Sequence, residues 1–182
     1  MRAFRRVLVL ASALCLVLGL AAISPGGDAD LEQLPPRELV KLLEYADHRT
    51  AELLLEAFRK LGPKAGKSIP DIVELLKHQD LQTRERASDA LSMLDGNAVP
   101  HLLTTLEDEN ALIREGSARA LSQIRNSAKL SMPALRKRLK DDDIKVRTEA
   151  AVAILSLGQD DKEAIDIVER GLQDEFPFAL VS

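Results

Sequence analysis

Residues 62–68 read Gly-Pro-Lys-Ala-Gly-Lys-Ser, a stretch whose residue types suggest phosphate binding. A phosphate-binding loop needs four residues between its two glycines, a buried strand before it and a helix after it. Here only Pro63, Lys64 and Ala65 intervene, and the preceding AELLLEAFRKL has helical character. Nucleotide binding is therefore not expected. The histidines are His48, His78 and His101, on different elements and without a metal-ligating spacing. No nucleophile stands with a histidine and an acid in one local pattern of the kind that activates it. These residues point to a non-catalytic protein with no metal and no cofactor.

The elements around GPKAGKS explain it better. Three segments superpose: SIPDIVELLKHQDLQTRERASDALSML from Ser68, NAVPHLLTTLEDENALIREGSARALSQI from Asn97, and SMPALRKRLKDDDIKVRTEAAVAILSL from Ser131. Each reads as two helices joined by a short turn. Pro70, Pro100 and Pro133 fall in the first turn of the first helix, where a missing N–H costs little. Asp80, Asn110 and Asp143 precede the second helix, where a short polar side chain can accept orphan backbone N–H groups. Asp47 fills the same slot in an earlier, weaker unit. Arg84, Arg114 and Arg147 each follow a cap by four residues.

An apolar stripe then runs at i, i+3, i+4, i+7 spacing: Ala87, Ala90, Leu91 and Leu94; Ser117, Ala120, Leu121 and Ile124; Ala150, Ala153, Ile154 and Leu157. The first helices offer a matching stripe in Ile72, Val73, Leu75 and Leu76, in Leu102, Leu103 and Leu106, and in Leu135 and Leu139. GPKAGKS lies between such units. Gly62 is expected to end one helix, Pro63 to prevent its continuation and Ser68 to cap the next.

A first-turn proline, a cap Asp or Asn, an Arg four residues on and the runs RERASDAL and REGSARAL together resemble HEAT or HEAT-like repeats of the armadillo-type superfamily. The resemblance covers about residues 36–175. It implies an all-α, right-handed α-solenoid of about four stacked antiparallel helix pairs. The expected units are 36–62, 68–95, 97–125 and 131–158, with an incomplete capping unit at 162–182. The first unit lacks the Arg, with Ala51 in its place, as an end unit without a neighbour would. The last supplies one helix, KEAIDIVERGLQDE, before EFPFALVS, whose Phe176, Phe178, Leu180 and Val181 are expected to fold back as a cap. The block Arg136, Lys137, Arg138 and Lys140, followed by Asp141, Asp142 and Asp143, reads as a solvated convex face.

The resemblance also implies that second helices line the concave face. It further implies a structural ladder between repeats made by Asp80 and Arg84, Asn110 and Arg114, Asp143 and Arg147. A rotation of 100° per residue then points four rows outward: Glu52, Glu56 and Arg59; Glu85, Asp89 and Ser92; Glu115, Arg119 and Ser122; Thr148, Val152 and Leu155. They describe a mainly acidic groove that turns apolar at one end. Reversing Glu85, Asp89 and Glu115 to Lys is expected to leave folding nearly intact, since exposed changes cost little.

Residues 1–24 have the order of a secretory signal peptide. Arg2, Arg5 and Arg6 precede an uncharged run from Val7 to Ile23, then small residues and PGG. At 17 residues the run also stands at the short edge of a membrane anchor. A linker is expected at 25–35 and the repeat domain at 36–182. Without the leader the chain has no cysteine, so no disulfide holds it. Its charge becomes about −7, with 22 basic against 29 acidic side chains, the wrong sign for a nucleic-acid binder. The low aromatic content, 3% with no Trp, suits close helix packing.

The expectation is thus an exported, periplasmic or secreted interaction module or scaffold whose partner is another protein or an extended peptide. Membrane contact would come only through an uncleaved N-terminal segment. The alternative drawn from relatives is a lyase-related enzyme of the bilin-lyase type, or another auxiliary enzyme subunit. A base-excision glycosylase reading would require basic and aromatic groove residues that the rows lack.

Overall fold

The computed structural model describes residues 31–124, 126 and 128–175. The expected leader at 1–24 and the apolar residues Phe176, Phe178, Leu180 and Val181 lie outside them. Among the described residues, nine α-helices follow a short 3-10 turn at Leu31–Gln33: α1 Pro36–Tyr45, α2 His48–Leu61, α3 Ile69–Leu75, α4 Leu81–Met93, α5 Val99–Thr105, α6 Ala111–Gln123, α7 Ala128–Arg138, α8 Ile144–Ser156 and α9 Lys162–Glu175. Among the described residues there is no strand, and no helix is long and apolar enough to cross a membrane.

The helices start where local chemistry permits. Pro36 at the start of α1, Pro70 in α3 and Pro100 in α5 occupy first turns. Each second helix opens on its expected cap. Asp47 accepts the Thr50 N–H at 2.8 Å, Asp80 that of Thr83 at 2.9 Å, Asn110 that of Leu112 at 2.9 Å, and Asp143 that of Lys145 at 2.8 Å. A cap of this kind is worth about 1 kcal/mol.

The third expected first-turn proline differs. Pro133 lies inside α7, because that helix begins upstream at Ala128 in the longer segment between the third and fourth units. GPKAGKS winds as a 3-10 segment, Gly62–Ser68, that runs directly into α3. Gly62, at φ 48°, closes α2 by donating its N–H to the Phe58 carbonyl, a conformation that suits glycine. Ser68 is buried and makes no capping bond, so its expected role is corrected. Because the chain never leaves a helical turn there, α3 has no open N-terminus to cap.

Packing follows two layers. The second helices α2, α4, α6 and α8 stack on one another in order, while α1, α3, α5 and α7 lie outside them. One continuous core runs from Leu31 and Leu39 through Phe58, Ile72, Leu91, Leu102, Leu121 and Leu135 to Ile154 and Ala164. Leu31 belongs to it, so the part of the expected linker nearest the domain is packed. Each inner helix except α2 buries more than the expected stripe. Thr83 and Ser88 in α4, Ile113 and Ala118 in α6, and Val146 and Ala151 in α8 are all at most 2% exposed. The reason is geometric: an inner helix meets its own partner helix and a stacked neighbour on each side.

The last helix breaks the alternation. α9 packs along α8 rather than beside α7. The turn after Ser156 is short, and Gly171 has returned to Thr148, whose Oγ1 lies 3.7 Å from where a Gly171 Cβ would stand. α9 therefore runs antiparallel to α8 and covers the end of the inner layer.

Candidate interaction groove

The four outward rows lie on neighbouring inner helices, and their side chains divide into free and tied groups. Glu52 and Arg59 on α2 are exposed, and Glu56 accepts two bonds from Arg59, from Nε at 2.8 Å and Nη2 at 2.6 Å. Val152 on α8 is 37% exposed, and Leu155 is half-buried against the core. Thr148 donates to the Ile144 carbonyl and lies beside α9, while Ser122 donates to the Arg119 carbonyl.

The centre of the groove is bonded within itself. Arg119 on α6 stands between two carboxylates, with Nη2 at 3.3 Å from Glu85 on α4 and Nη1 at 3.6 Å from Glu149 on α8. Its Nε is buried without a hydrogen-bond partner. Glu115 lies half-buried beside them. Burial pushes the Glu115 carboxyl above the usual carboxylate range, against the pull of Lys145, Arg84 and Arg119. Burial raises Glu149 likewise, with Arg119 opposing and Glu115 and Glu85 adding to the rise. Between α4 and α6 a shallow, solvent-open depression is lined by Leu81, Leu112, Ser88 and Gly116 together with Arg84, Glu85, Glu115 and Arg119.

Toward the other end of α4 and α6, Gln123 Nε2 donates to Asp89 Oδ1 at 2.8 Å. The Ser92 hydroxyl stands 2.8 Å from Gln123 Oε1 and is 9% exposed. Glu85, Asp89, Glu115 and Ser92 are therefore structural members as well as surface. The three acids are less freely exposed than expected: Glu85 pairs with Arg119, Asp89 with Gln123, and Glu115 is half-buried.

The ladder is also rearranged. Asp80, Asn110 and Asp143 spend their side chains on their own helix N-termini. Arg84 Nη1 donates to the carbonyls of His78 and Gln79, Arg114 Nη1 to those of Asp108 and Glu109, and Arg147 Nη1 to those of Asp141 and Asp142. Each Arg thus clamps its own inter-helix turn. The cross-repeat rung is Arg114 to Asp141, at 2.9 Å from Nε and 2.7 Å from Nη2. Asp141 is 8% exposed and also accepts from Arg138 Nη1 at 3.1 Å. Burial works to raise its pKa, but hydrogen bonds from Arg114 and the Asp143 N–H, with the charges of Arg114 and Arg138, hold it below the usual range. Arg136, Lys137 and Lys140 are exposed as expected of a solvated face. Arg138 and Asp141 are not, since both are drawn into the turn where two repeats meet.

Sequence reasoning missed Glu149 and Gln123, and read Asp141 as part of a solvated face. Nothing in a single helix projection marks them, because each meets its partner across a repeat boundary.

A HEAT repeats family pattern matches residues 37–122 and 99–179, in two overlapping stretches that together span most of the chain. The chain belongs to the HEAT repeat family. HEAT repeat proteins generally mediate protein interactions and typically act as non-catalytic scaffolds. No curated protein matches the chain. A solved structure similar to this HEAT repeat chain is that of an engineered protein, at 26% identity over 80% of this chain and 73% of that one, with a TM-score of 0.38. Among the described residues no group of three or more His, Cys, Asp or Glu side chains is placed to hold a metal ion.

Proposed function

We propose that the protein is an exported HEAT-repeat scaffold that binds a protein or extended peptide along the groove of its inner helices. The observation that carries this reading is the depression between α4 and α6. It combines apolar walls, Leu81 and Leu112, with the Glu85 and Glu115 carboxylates and the Arg84 and Arg119 guanidinium groups. Apolar contact supplies affinity there, and the carboxylates and guanidinium groups around it offer a partner polar groups that fix its register. The order of charge, apolar run and small residues at 1–24 supports export, with cleavage or retention as an anchor placing the domain outside the cytoplasm.

The test uses exposed groove positions that carry no ties between helices. Leu81→Lys, which lines the depression, and Val152→Lys are combined in one variant, and its circular dichroism and thermal transition are compared with those of the wild type. Affinity capture from envelope and extracellular fractions should then retain a partner on the wild type and lose it on the folded variant. Equal capture by both would remove the groove from the reading. A leader that leaves the domain in the cytoplasm would remove export.

A further inference from the structure

The turns inside the second, third and fourth repeats each carry a polar residue two positions before the helix cap: His78, Asp108 and Asp141. All three do the same local job. His78 Nδ1 accepts the Asp80 N–H at 3.1 Å, Asp108 Oδ1 that of Asn110 at 2.8 Å, and Asp141 Oδ1 that of Asp143 at 3.1 Å. Asp141 also meets Arg114 of the preceding unit, because a carboxylate has two oxygens and can serve both partners at once. A neutral imidazole has one acceptor nitrogen, and protonation removes it.

The first junction is also wired in the opposite sense. Ala51 stands where the later units have Arg, so the first unit has no equivalent of Arg114. It offers an acid instead. Glu44, at the end of α1, places its Oε1 3.8 Å from His78 Nε2, with the two side chains 32% and 34% exposed. Glu107 holds the same place three residues before its cap, and it likewise pairs forward with Lys137 and Arg138 of the next unit. The Thr83 hydroxyl, 3.4 Å from the Glu44 carbonyl, ties the end of α1 to this turn.

The other charged groups there are engaged. Asp80 accepts from the Thr83 N–H and hydroxyl, Arg84 of α4 donates to the His78 carbonyl, and Lys77 bonds Glu74. Glu44 holds the Tyr45 phenol above its ordinary range through a hydrogen bond and its charge. The Asp80 N–H assigns the proton of the neutral His78 ring to Nε2. At 3.8 Å that nitrogen faces Glu44 without a hydrogen bond, so the neutral ring belongs to its own turn.

We propose that His78 is a proton-operated coupling between the first two repeats. Neutral, it accepts the Asp80 N–H and stiffens its own turn. Below neutral pH, in the range where histidine changes charge, a proton from solvent adds to Nδ1. Nδ1 then carries an N–H and releases that of Asp80, and the imidazolium turns to the Glu44 carboxylate of the preceding unit. The coupling does not rest on the groove reading above.

Nitrogen-15 NMR of the full chain tests it, with His78 identified by the ring signals lost in His78→Asn. At pH 8 the His78 Nδ1 should carry no proton and should show coupling across the bond to the Asp80 N–H. At pH 5 both ring nitrogens should be protonated, that coupling should vanish, and the Asp80 amide proton should shift to lower frequency. Glu44→Gln should keep the pH 8 pattern and lower the proton affinity of His78 about threefold, the weight of a partly exposed ion pair. In His78→Asn, whose amide oxygen can accept the Asp80 N–H at either pH, the Asp80 amide should stop responding. A proton on Nδ1 at pH 8, an Asp80 amide that ignores the titration of His78, or an unchanged proton affinity in Glu44→Gln overturns the proposal. A response of Asp80 that persists in His78→Asn would assign it to another group and overturn the proposal as well.

Discussion

Arg84 and Arg114 occupy the same place in successive repeats, yet only Arg114 reaches into the next unit. Both clamp the carbonyls of their own turn. Arg114 then adds two bonds to a carboxylate that is 97% buried by side chain, Asp141, while its own side chain is 12% exposed. The residue corresponding to Asp141 one junction earlier is Asp108. It accepts the Asn110 N–H, and among the described residues no ion pair joins it to Arg84. The junction between α4 and α6 is held instead by the Arg119–Glu85 pair and, at its other end, by Gln123, which bridges Asp89 and Ser92. A repeat that is regular in sequence is therefore fastened at different depths. A buried, bidentate carboxylate makes its partner costly to remove, whereas an exposed amide bridge competes with water.

The sharpest way to break this comparison is Asp141→Ala. It leaves Arg114 and Arg138 buried without their carboxylate, and the expected loss is about 3 kcal/mol, read from urea unfolding. A loss below about 1 kcal/mol would place the rung among surface pairs and erase the distinction. Next is Gly116→Val on α6. A Cβ there would stand 2.6 Å from Leu76 Cδ2, a side chain with no exposure, so overpacking should cost about 2 kcal/mol by the same measurement. Arg84→Ala should cost about 1 kcal/mol, the value of modest turn hydrogen bonds, and clearly less than Arg114→Ala. Equal losses for the two would mean that the turn clamp, not the rung, carries Arg114.

The smallest effect is on pH dependence. Glu115 and Glu149 have folded pKa values raised by burial, so the fold binds their protons more tightly than the unfolded chain does. Their ionisation opposes folding above the raised values, and that opposition is relieved as pH falls toward the unfolded value of about 4.3. Asp141 behaves in the opposite sense: its depressed pKa contributes stability above about 3.9 that is lost as pH falls through the folded value. Stability should therefore rise slightly on mild acidification and then fall. Glu115→Gln should flatten the rise and leave the acid limb unchanged. An unaltered rise would show that Glu115 is solvated.

Much of the fold was legible because its signals are local. A cap needs only a short polar side chain before a helix, so Asp47, Asp80, Asn110 and Asp143 could be read directly. The inward stripes could be read because 3.6 residues per turn set them, and Leu91, Leu121 and Ile154 are fully buried. Pro133 misled because a first-turn proline marks a start only if no helix precedes it, and the upstream turn from Ala128 does not announce itself. The groove was legible as a set of rows but not as a network. Projection showed that Glu85, Glu115 and Arg119 lie near one side of their helices, yet not that Glu149 completes the arrangement or that Gln123 holds Asp89.

The sequence by itself determined the helix pairs, their caps, the phase of the repeats and the absence of a disulfide framework in the domain, because these follow from side-chain chemistry within a few residues. Only the tertiary structure decided which carboxylate Arg114 meets, how deeply the acidic row is buried and against which helix α9 packs. Those outcomes depend on how far one helix turns and slides against the next. That relation is set by the packed volumes of residues far apart in the chain, such as Leu76 against Gly116.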